Sequence, residues 1–593
     1  MAQGRARAGS WWVVAAAAAA AVGSGCGDRR ERAAGGAVAA DSAPSAGGTL
    51  VVGIKADPDS LNPYLARQSE SLLIASRVLP RLWREVLPGD AEPAGLKPEL
   101  VDGEPRFEDG GKAVRLALRS DAAWSDGSPV TCDDVRFTWQ AQIDPTLGWR
   151  AASIKRHITA IECAGPQTVL ARFDRAYPEM LVDLNDLHLL PRSLAAVPRG
   201  AWREVDWAAR LPAAGPYRIE RSQAGQEIVL ARNPAFRGAP GLPRIDRIVF
   251  RVVPDQTARL TQLLAGDLDL VDGVPPGNAA LAARGSGIAI VKRPGWGYTY
   301  VGWMDLDPAA YRAFRARREA ACRAAKQEDC PDDAAAVARL AAEQPHPLFG
   351  DPRVRRAMTL AIDRQAIVDT LLAGQGEVPA SPILSPLPEH DPSLAGPPHD
   401  RARARALLAE AGFADRDGDG TLDKEGKPFA FELAVQAGHA LRRDAAVMVQ
   451  RDLAALGIAV TIRPVEDSAF FATLGGRGTD AWVGSWRVPG RVDMVDLLHA
   501  AAAGTGGLNF GAWSEPEADR LALAARDETD RARRAELWRG WERIFVAEQP
   551  YTLLFREARL TAVRERVRGE ESLLANDPLN GVEGWWLDRG PQP

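Results

Sequence analysis

Hydrophobic and polar positions along the chain follow two periods, one typical of strands and the other of helices. TLVVGI, from Thr49 to Ile54, is an apolar run of the kind that forms a buried strand, and a helix-like run follows from Leu72 to Leu82. Further strands are predicted at VRLAL, TVLARF, GPYRIERS, QEIVLARN, DRIVFRVV and PFAFELAV. Because helices and strands mix without a strict βαβ order or a fixed-period repeat, the pattern predicts an α/β protein of mixed topology.

Single residues place several helix boundaries. Thr131, with Asp134 three residues later, has the spacing of a capping box. In DPRVRRAMTLAIDR, Asp351 suits an N-cap and Pro352 the first helical position. The helix in DQTARLTQLLAGDLDLV should end at Gly266. Near the C-terminus, RRAELWRGWERIFVAEQ predicts an amphipathic helix that leads into the strand YTLLF.

Composition narrows the class of protein. The 593 residues are enough for several domains, and a hydrophobic fraction of 46% with 25% charged residues is typical of globular proteins. The net charge of −5 and the lack of a long basic run argue against a nucleic-acid partner. The 17 Trp suit both a core and an aromatic-lined pocket.

The N-terminus has the pattern of an export signal. Arg5 and Arg7 precede an apolar run from Trp11 to Val22, which is shorter than a membrane span. Small residues then lead into Cys26, and this arrangement resembles a bacterial lipoprotein signal, in which the Cys becomes the lipidated N-terminus. An ordinary signal peptide cut nearby is the alternative. We therefore expect a signal peptide over residues 1–25 and a flexible tether over residues 26–47.

Four cysteines follow the signal, and export permits disulfides. Cys322 and Cys330 lie close together in a helical insert rich in Ala, Arg and Glu, and Cys132 with Cys163 is the simplest second pair. Sequence alone allows three connectivities, and free buried thiols are also possible.

The stretch DRDGDGTLDKEG resembles a calcium loop. Asp415, Asp417 and Asp419 alternate and Gly420 follows, but Gly426 stands where a bidentate Glu should be. The flanks are a predicted helix and a predicted strand instead of two helices. A solvated turn is therefore favoured, with the three aspartates as a weak calcium candidate.

The chain has none of the common catalytic motifs. It contains no Gly-x-Ser-x-Gly, no His-Glu-x-x-His and no dinucleotide-binding glycine pattern, and its seven His are scattered without metal-ligand spacing. We expect a protein that is not an enzyme and that carries no cofactor.

Five stretches, in order, resemble one family, the extracytoplasmic solute-binding proteins of peptide-type ABC importers, which includes oligopeptide-, dipeptide- and nickel-binding receptors. The stretches are WSDGSPVTCDDVRFTW, GPYRIERSQAGQEIVLARNPAFRG, LTQLLAGDLDLVDGVP, DPRVRRAMTLAIDRQAIVDTLLAGQGEVPASPI and AEQPYTLLFREARL.

The resemblance implies an α/β fold of two lobes, like a periplasmic binding protein (Venus-flytrap), with a subdomain inserted in the first lobe. Hinges would lie near residues 298–303 and 553–556. The first lobe would comprise residues 48–80, 213–300 and 553–593, the inserted subdomain residues 81–212, and the second lobe residues 301–552.

The resemblance also implies a function. The protein would bind a peptide or peptide-like small solute between its lobes and deliver it to an ABC transporter permease. It would be an extracytoplasmic monomer, periplasmic or at the cell surface, anchored to the membrane by a lipid on Cys26. A receptor of the same fold for a metal chelate or another non-peptide solute is one alternative, and a calcium-dependent surface module is another.

Candidate binding residues lie in DAWVGSWRVPGRVDMVDLL, the stretch that corresponds to the family's ligand-binding segment. Period 2 puts Trp482 and Trp486 on one face of a strand. Arg487 and Arg491 favour a carboxylate-bearing ligand, unless they pair with nearby aspartates. Asp493 or Asp496 is the candidate partner for a ligand amino group.

The aromatic-rich strand that contains VGWM supplies one more candidate. Trp303 is expected to contact the ligand, and Met304 stands where the family often has Asn.

Overall fold

The structure is a computed structural model, and it describes residues 44–86, 95–149, 151–185, 188–327, 329–488, 490–574 and 576–588. The predicted signal peptide, Cys26 and most of the predicted tether lie outside the described residues.

The strands and helices of the described residues alternate irregularly along the chain, as the sequence pattern predicts. The strands are β1 (Thr49–Ile54), β2 (Trp83–Val86), β3 (Gly95–Pro98), β4 (Val101–Glu108), β5 (Ala113–Leu118), β6 (Ile158–Gly165), β7 (Thr168–Phe173), β8 (Tyr217–Gln223), β9 (Glu227–Arg232), β10 (Arg247–Val252), β11 (Leu270–Asp272), β12 (Ile288–Pro294), β13 (Gly297–Trp303), β14 (Gly376–Glu377), β15 (Asp423–Lys424), β16 (Lys427–Pro428), β17 (Ala430–Gln436), β18 (Ala459–Val465), β19 (Ala481–Arg487), β20 (Tyr551–Arg564), β21 (Val567–Arg568) and β22 (Trp586–Leu587). The α-helices are α1 (Ser69–Val78), α2 (Cys132–Gln142), α3 (Met180–Asn185), α4 (Trp207–Arg210), α5 (Gln256–Ala265), α6 (Pro276–Ala283), α7 (Pro308–Ala324), α8 (Ala334–Glu343), α9 (Pro352–Ala361), α10 (Arg364–Leu371), α11 (Arg401–Glu410), α12 (Ala440–Ala454), α13 (Asp467–Gly475), α14 (Val495–Leu498), α15 (Pro516–Asp527) and α16 (Arg531–Glu548).

One large mixed sheet runs through both lobes, in the order β18-β17-β19-β13-β20-β11-β1-β10-β9-β8. In the first lobe, β1 is parallel to β10 and β11, and β9 is antiparallel to β10. In the second lobe, β17 is parallel to β18 and β19, and β13 is antiparallel to β19. The long strand β20 joins the halves, because its beginning pairs with β13 and its end pairs with β11 and β12.

The chain passes between the lobes at two adjacent places. β12 ends at Pro294, opposite Ala558, and β13 starts at Gly297, so Gly295 and Trp296 make the first crossing. β20 makes the second crossing beside it. A Cβ on Gly295 would lie 2.1 Å from the backbone oxygen of Glu557, so only glycine allows this approach. The first crossing precedes the predicted hinge at residues 298–303, which lies within the paired strand β13.

The inserted subdomain is built on a four-stranded antiparallel sheet in the order β4-β5-β7-β6. Helix α2 packs on it and begins with the predicted capping box of Thr131 and Asp134. The buried side chains of this subdomain and of the first lobe form one continuous hydrophobic cluster. The subdomain therefore shares a core with the first lobe.

Two disulfides are present. Cys132 at the start of α2 is bonded to Cys163 in β6, and Cys322 in α7 is bonded to Cys330. The Cα–Cα separations are 5.7 and 6.0 Å, within the usual range for disulfides. The bonded cysteines are 31 and 8 residues apart in sequence.

None of the helices in the described part of the chain has the length and apolar character that crossing a bilayer requires.

Candidate ligand-binding site

A cavity of about 340 Å³ lies where the chain crosses between the lobes. The start of β13, the end of β19 and the middle of β20 form its walls. Its lining residues are Gly295, Trp296, Gly297, Tyr298, Thr299, Ser485, Trp486, Arg487, Phe555, Glu557, Ala558, Arg559 and Asn576. Because both crossing segments contribute to it, movement of one lobe relative to the other would change its shape.

A stack of aromatic rings lies behind the second-lobe wall of this cavity and reaches the cavity at Trp486. Tyr300 stacks on Tyr551 with ring centroids 4.1 Å apart and on Trp486 at 6.5 Å. Trp486 in turn stacks on Phe510 at 6.4 Å. Gly484 makes room for this arrangement, since a Cβ there would lie 2.9 Å from the ring of Tyr300. The stack therefore fixes the orientation of Trp486 at the cavity.

A buried hydroxyl at this cavity, that of Tyr298, has no hydrogen-bond partner among the described residues. Burial raises the pKa of Tyr298 well above the ordinary value, so the hydroxyl stays protonated and can donate. An unpaired buried donor costs about 1–3 kcal/mol. Because Tyr298 lines the cavity, an acceptor on a bound solute would relieve that cost.

Both signs of charge are present at the cavity. Arg487 is exposed and forms no ion pair with any described residue. Across the cavity lies Glu557, whose pKa is raised by desolvation, while nearby Arg442 opposes the rise. Arg442 is held in place by donating to Ser485 and Gln436. The side chain of Arg559 is already paired with Asp272.

Two of the predicted tryptophans lie beneath this wall, not at the cavity. Trp482 is completely buried, and its Nε1 donates to the hydroxyl of Tyr300 at 3.4 Å. Trp303 is completely buried in the second-lobe core, and its Nε1 donates to Oγ1 of Thr552 at 3.1 Å. Neighbouring side chains cover both rings and neither ring lines the cavity, so the expectation that they contact the ligand stays a prediction.

The predicted acids also have other partners. Asp493 accepts two hydrogen bonds from Arg526, each at 3.0 Å, and one from the backbone amide of Val495. Asp496 accepts from the same Arg526 at 2.8 Å. The two aspartates thus hold α14 against α15, and neither lines the cavity.

Arg491 points to the inserted subdomain. It donates to Asp183 at 2.6 Å, and it too lies outside the cavity lining. Of the second-lobe candidates, the structure places Trp486 and Arg487 at the cavity.

Sequence reasoning missed several residues of the cavity. Trp296 and Tyr298 had a visible signal, the alternation of aromatic residues along one strand. Glu557 and Arg559, within FREARL, had no signal in the sequence. They line the cavity because β20 crosses between the lobes at these residues.

The calcium candidate is an exposed turn. One carboxylate oxygen from each of Asp415, Asp417 and Asp419 lies within 4.8 Å of the others. Each of the three side chains also accepts backbone amide hydrogens of the loop itself. The loop leads from α11 into the hairpin β15–β16, so the helix-loop-helix frame of a calcium sensor is missing here.

Comparison with known proteins gives concordant matches. A family model described as bacterial extracellular solute-binding proteins, family 5 Middle, matches residues 95–506. The oligopeptide-binding protein AppA of Bacillus subtilis is 28% identical over 552 residues, covering 92% of each chain. The structure of AppA with a nonapeptide superposes with a TM-score of 0.66 at 27% identity, covering 92% of this chain and 100% of AppA. NikZ of Campylobacter jejuni, solved with Ni(L-His), superposes with a TM-score of 0.67 at 18% identity, covering 91% of this chain and 99% of NikZ.

Proposed function

The chain belongs to family 5 of the bacterial extracellular solute-binding proteins, and from this premise we propose that it binds a short peptide or peptide-like solute between its lobes and delivers it to an ABC transporter permease. The observation that carries the proposal is the cavity at the two crossings, where Trp486 presents an aromatic ring and Tyr298 an unpartnered buried hydroxyl. AppA, which is similar over nearly the whole chain, was solved with a nonapeptide.

The chemistry of the cavity suits a peptide backbone and its charged ends. Peptide carbonyls are acceptors for the hydroxyl of Tyr298, while aromatic rings bury apolar side chains. Arg487 and Glu557 both line the cavity, and in the proposal Arg487 meets the carboxylate of the solute and Glu557 its ammonium group. A volume of about 340 Å³ is at the small end of ligand pockets, which favours a short peptide when the lobes are closed.

A metal chelate is the second candidate solute within this fold, suggested by the Ni(L-His) complex of NikZ. The lining of the cavity contains no His or Cys among the described residues. The protein would therefore supply no soft or imidazole ligand, and the metal would have to arrive fully chelated.

The proposal includes the location of the protein. An extracytoplasmic monomer with lipid on Cys26 would keep the binding lobes near the permease, joined to the membrane by the tether of residues 26–47. Because the family consists of solute-binding proteins, the proposal includes no catalytic activity.

The test begins with identification of the natural solute. Mass spectrometry of small molecules released from natively purified protein should find short peptides. Calorimetric titration should then show tight binding of such a peptide and weaker binding of its N-acetylated and C-amidated forms. Arg487→Gln should lose the preference for the free carboxylate. Arg218→Gln, at an exposed position of β8, is the matched control and should keep it. Peptides that fail to bind while a nickel chelate binds tightly would replace the peptide proposal with the chelate.

A further inference from the structure

Strand pairing is interrupted where the chain crosses between the lobes. β13 pairs with β20 from Thr299 onwards, and β12 pairs with β20 up to Pro294. Residues 295–298 lie outside both of these ladders, although the amide of Gly295 donates to the backbone carbonyl of Glu557 at 3.1 Å. With so little backbone pairing between them, the two crossing segments depend on side chains to hold their relative position.

The side chain of Arg556 bridges this gap. Arg556 lies on the second crossing, its backbone pairs with β14, and it is 2% exposed. Its Nε donates to the carbonyl oxygen of Gly295 on the first crossing at 2.6 Å. Its Nη1 donates to Oε1 of Glu377 at 2.8 Å and to the carbonyl oxygen of Ser385 at 2.5 Å, both on second-lobe segments. One guanidinium therefore joins both crossings to the second lobe.

The same guanidinium lies next to an aromatic ring of the solute cavity. Its central carbon is 5.8 Å from the centroid of the Trp296 ring, within the range of a cation–π contact. Trp296 is half-buried, packs against a hydrophobic cluster of the second lobe and lines the cavity. Among the described residues, the lining of the cavity does not include Arg556. Arg556 can therefore act on a bound solute through the position of Trp296, and not by contact.

The presence of an arginine at this place fits a bridging role. The side chain of Arg556 is 3% exposed, whereas that of its carboxylate partner Glu377 is 58% exposed. A buried guanidinium with an exposed counter-ion costs free energy that an apolar side chain in the same place would not. What arginine adds is a planar fork of donors that reaches several acceptors at once, which lysine lacks. Its acceptors here come from residues 295, 377 and 385. Contacts across the crossings therefore explain this side chain better than packing does.

We propose that Arg556 is a positioning residue of the solute site, which holds the two crossing segments together and fixes the ring of Trp296 at the cavity. Without it, the crossings of the free protein would have more arrangements, and a solute would have to select one of them at a cost in affinity. The restraint on the crossings does not depend on which solute binds, whereas its effect on affinity rests on the proposed function.

The first test is hydrogen exchange of the unliganded protein, followed by mass spectrometry at a temperature where every variant is folded. Arg556→Met removes the donors and keeps a long unbranched side chain. Peptides that cover residues 294–300 and 553–558 should exchange about tenfold faster in this variant, as expected for the loss of a hydrogen bond from a charged donor. Arg556→Lys, which keeps the charge but not the fork, should give an intermediate rate.

Arg477→Met is the matched control. Arg477 is also buried, at 3% exposure, donates to the carbonyls of Gly475 and Ala503, and lies 4.5 Å from the centroid of the Tyr311 ring. Its replacement should lower the melting temperature without changing exchange at the crossings. If Arg556→Met also lowers the melting temperature and leaves exchange at the crossings unchanged, Arg556 contributes to general stability and the proposal is wrong.

Fluorine NMR of protein labelled with fluorotryptophan tests the second part of the proposal, the position of the ring. The Trp296 resonance is assigned by its loss in Trp296→Phe. This resonance should be shifted or broadened in Arg556→Met and unchanged in Arg477→Met. A Trp296 resonance that is the same in all folded variants would show that Arg556 does not fix this ring.

A second variant keeps the proposal testable if Arg556→Met does not fold. The side chain of Glu377 is exposed, so its replacement leaves the core intact. Glu377→Ala should accelerate exchange in the same two peptides by a smaller factor, because Arg556 keeps its other acceptors. Unchanged exchange in Glu377→Ala would then overturn the proposal.

Calorimetric titration with trialanine tests the consequence for binding. Wild-type protein should bind this peptide, Arg477→Met should bind it as wild type, and Arg556→Met should bind it about tenfold more weakly, equivalent to about 1.4 kcal/mol. Unchanged affinity of Arg556→Met would overturn the positioning role. Wild-type protein that does not bind trialanine would count against the proposed function, while hydrogen exchange and fluorine NMR would still decide whether Arg556 restrains the crossings.

Discussion

Arg491 of the second lobe donates a hydrogen bond to Asp183 of the inserted subdomain at 2.6 Å, and the side chain of Asp183 is only 7% exposed. The hydroxyl of Tyr177 donates to the other oxygen of Asp183 at 2.8 Å. Two more ion pairs, Arg534–Glu179 and Arg175–Asp527, join the same parts at 3.0 Å each. These contacts hold the lobes together at a distance from the cavity.

The first prediction concerns these contacts between the lobes, Arg491–Asp183, Arg534–Glu179 and Arg175–Asp527, which we call the clasp. Arg491→Gln should favour the open conformation, so part of the binding free energy would be used to close the lobes. Solute binding should therefore weaken about tenfold, equivalent to about 1.4 kcal/mol. Small-angle scattering of the unliganded variant should show a larger radius of gyration, and calorimetry should show the loss of affinity.

Arg520→Gln is the control for this prediction, because Arg520 pairs with Glu517 on the exposed surface of α15. It should leave both scattering and affinity unchanged. If Arg491→Gln behaves in the same way, the clasp does not stabilise the closed state.

The second prediction distinguishes two tryptophans on one face of β19. Trp486→Ala should weaken binding of the solute about 30-fold, as the loss of a ~2 kcal/mol aromatic anchor implies. Trp482→Ala should mainly destabilise the fold, by ~3–5 kcal/mol, because this ring is completely buried. Thermal melts and titrations on both variants decide the assignment. Reversed results would place the solute next to Trp482.

These two tryptophans also show how far the sequence can be interpreted. Alternation with a period of 2 correctly predicted that both side chains lie on one face of β19. It carries no information about how deeply each side chain is buried. The burial depends on side chains from distant segments. Tyr300 and Phe510 contact both rings, but Tyr551 also packs edge-on against Trp482, whereas Trp486 reaches the cavity.

Local features were predictable because their causes are local. The capping box at Thr131, the N-cap at Asp351 and the left-handed glycine that ends α5 at Gly266 each depend on neighbouring residues. The partners of Asp493 and Arg491 are 33 and 308 residues away, so the sequence could not reveal that these charges are already paired.

The third prediction concerns pH. Burial raises the pKa of Glu99 to about 7 from an ordinary value of 4.5, so between these values the unfolded chain holds fewer protons at this site than the folded chain. Glu99 should therefore lower the free energy of unfolding progressively as pH rises from about 4.5 to about 7. Above that range its destabilising contribution should be constant. Denaturant unfolding at a series of pH values should show that Glu99→Gln flattens this dependence.

Glu162→Gln is the control for the pH series, because Glu162 lies on the surface in an ion pair with Arg172 and its pKa is lowered. It should not flatten the decline between pH 4.5 and 7. A Glu99→Gln profile parallel to that of wild type would show that the Glu99 carboxyl is solvated.

The fourth prediction concerns the lipid anchor. Cys26→Ser should move the protein from the membrane to the soluble fraction when cells are fractionated, because in the proposed lipoprotein this thiol is the acceptor for the lipid. Cys322→Ser, at a cysteine that is disulfide-bonded in the structure, is the control and should remain with the membrane. Membrane retention of the Cys26→Ser protein would exclude Cys26 as the attachment point.

The last prediction uses the unpaired hydroxyl of Tyr298. In the free protein this hydroxyl is buried without a partner, so Tyr298→Phe should leave the free energy of unfolding unchanged or raise it slightly. The same change should weaken solute binding about tenfold if the hydroxyl donates to the solute, as the position of Tyr298 at the cavity indicates. Tyr311→Phe is the matched control, because the hydroxyl of Tyr311 donates to buried Asp332 at 2.6 Å. That variant should lose about 1–3 kcal/mol of stability and keep normal affinity. Unfolding curves and titrations of the two variants should therefore give opposite patterns, and a Tyr298→Phe protein that binds the solute as tightly as wild type would show that this hydroxyl does not contact it.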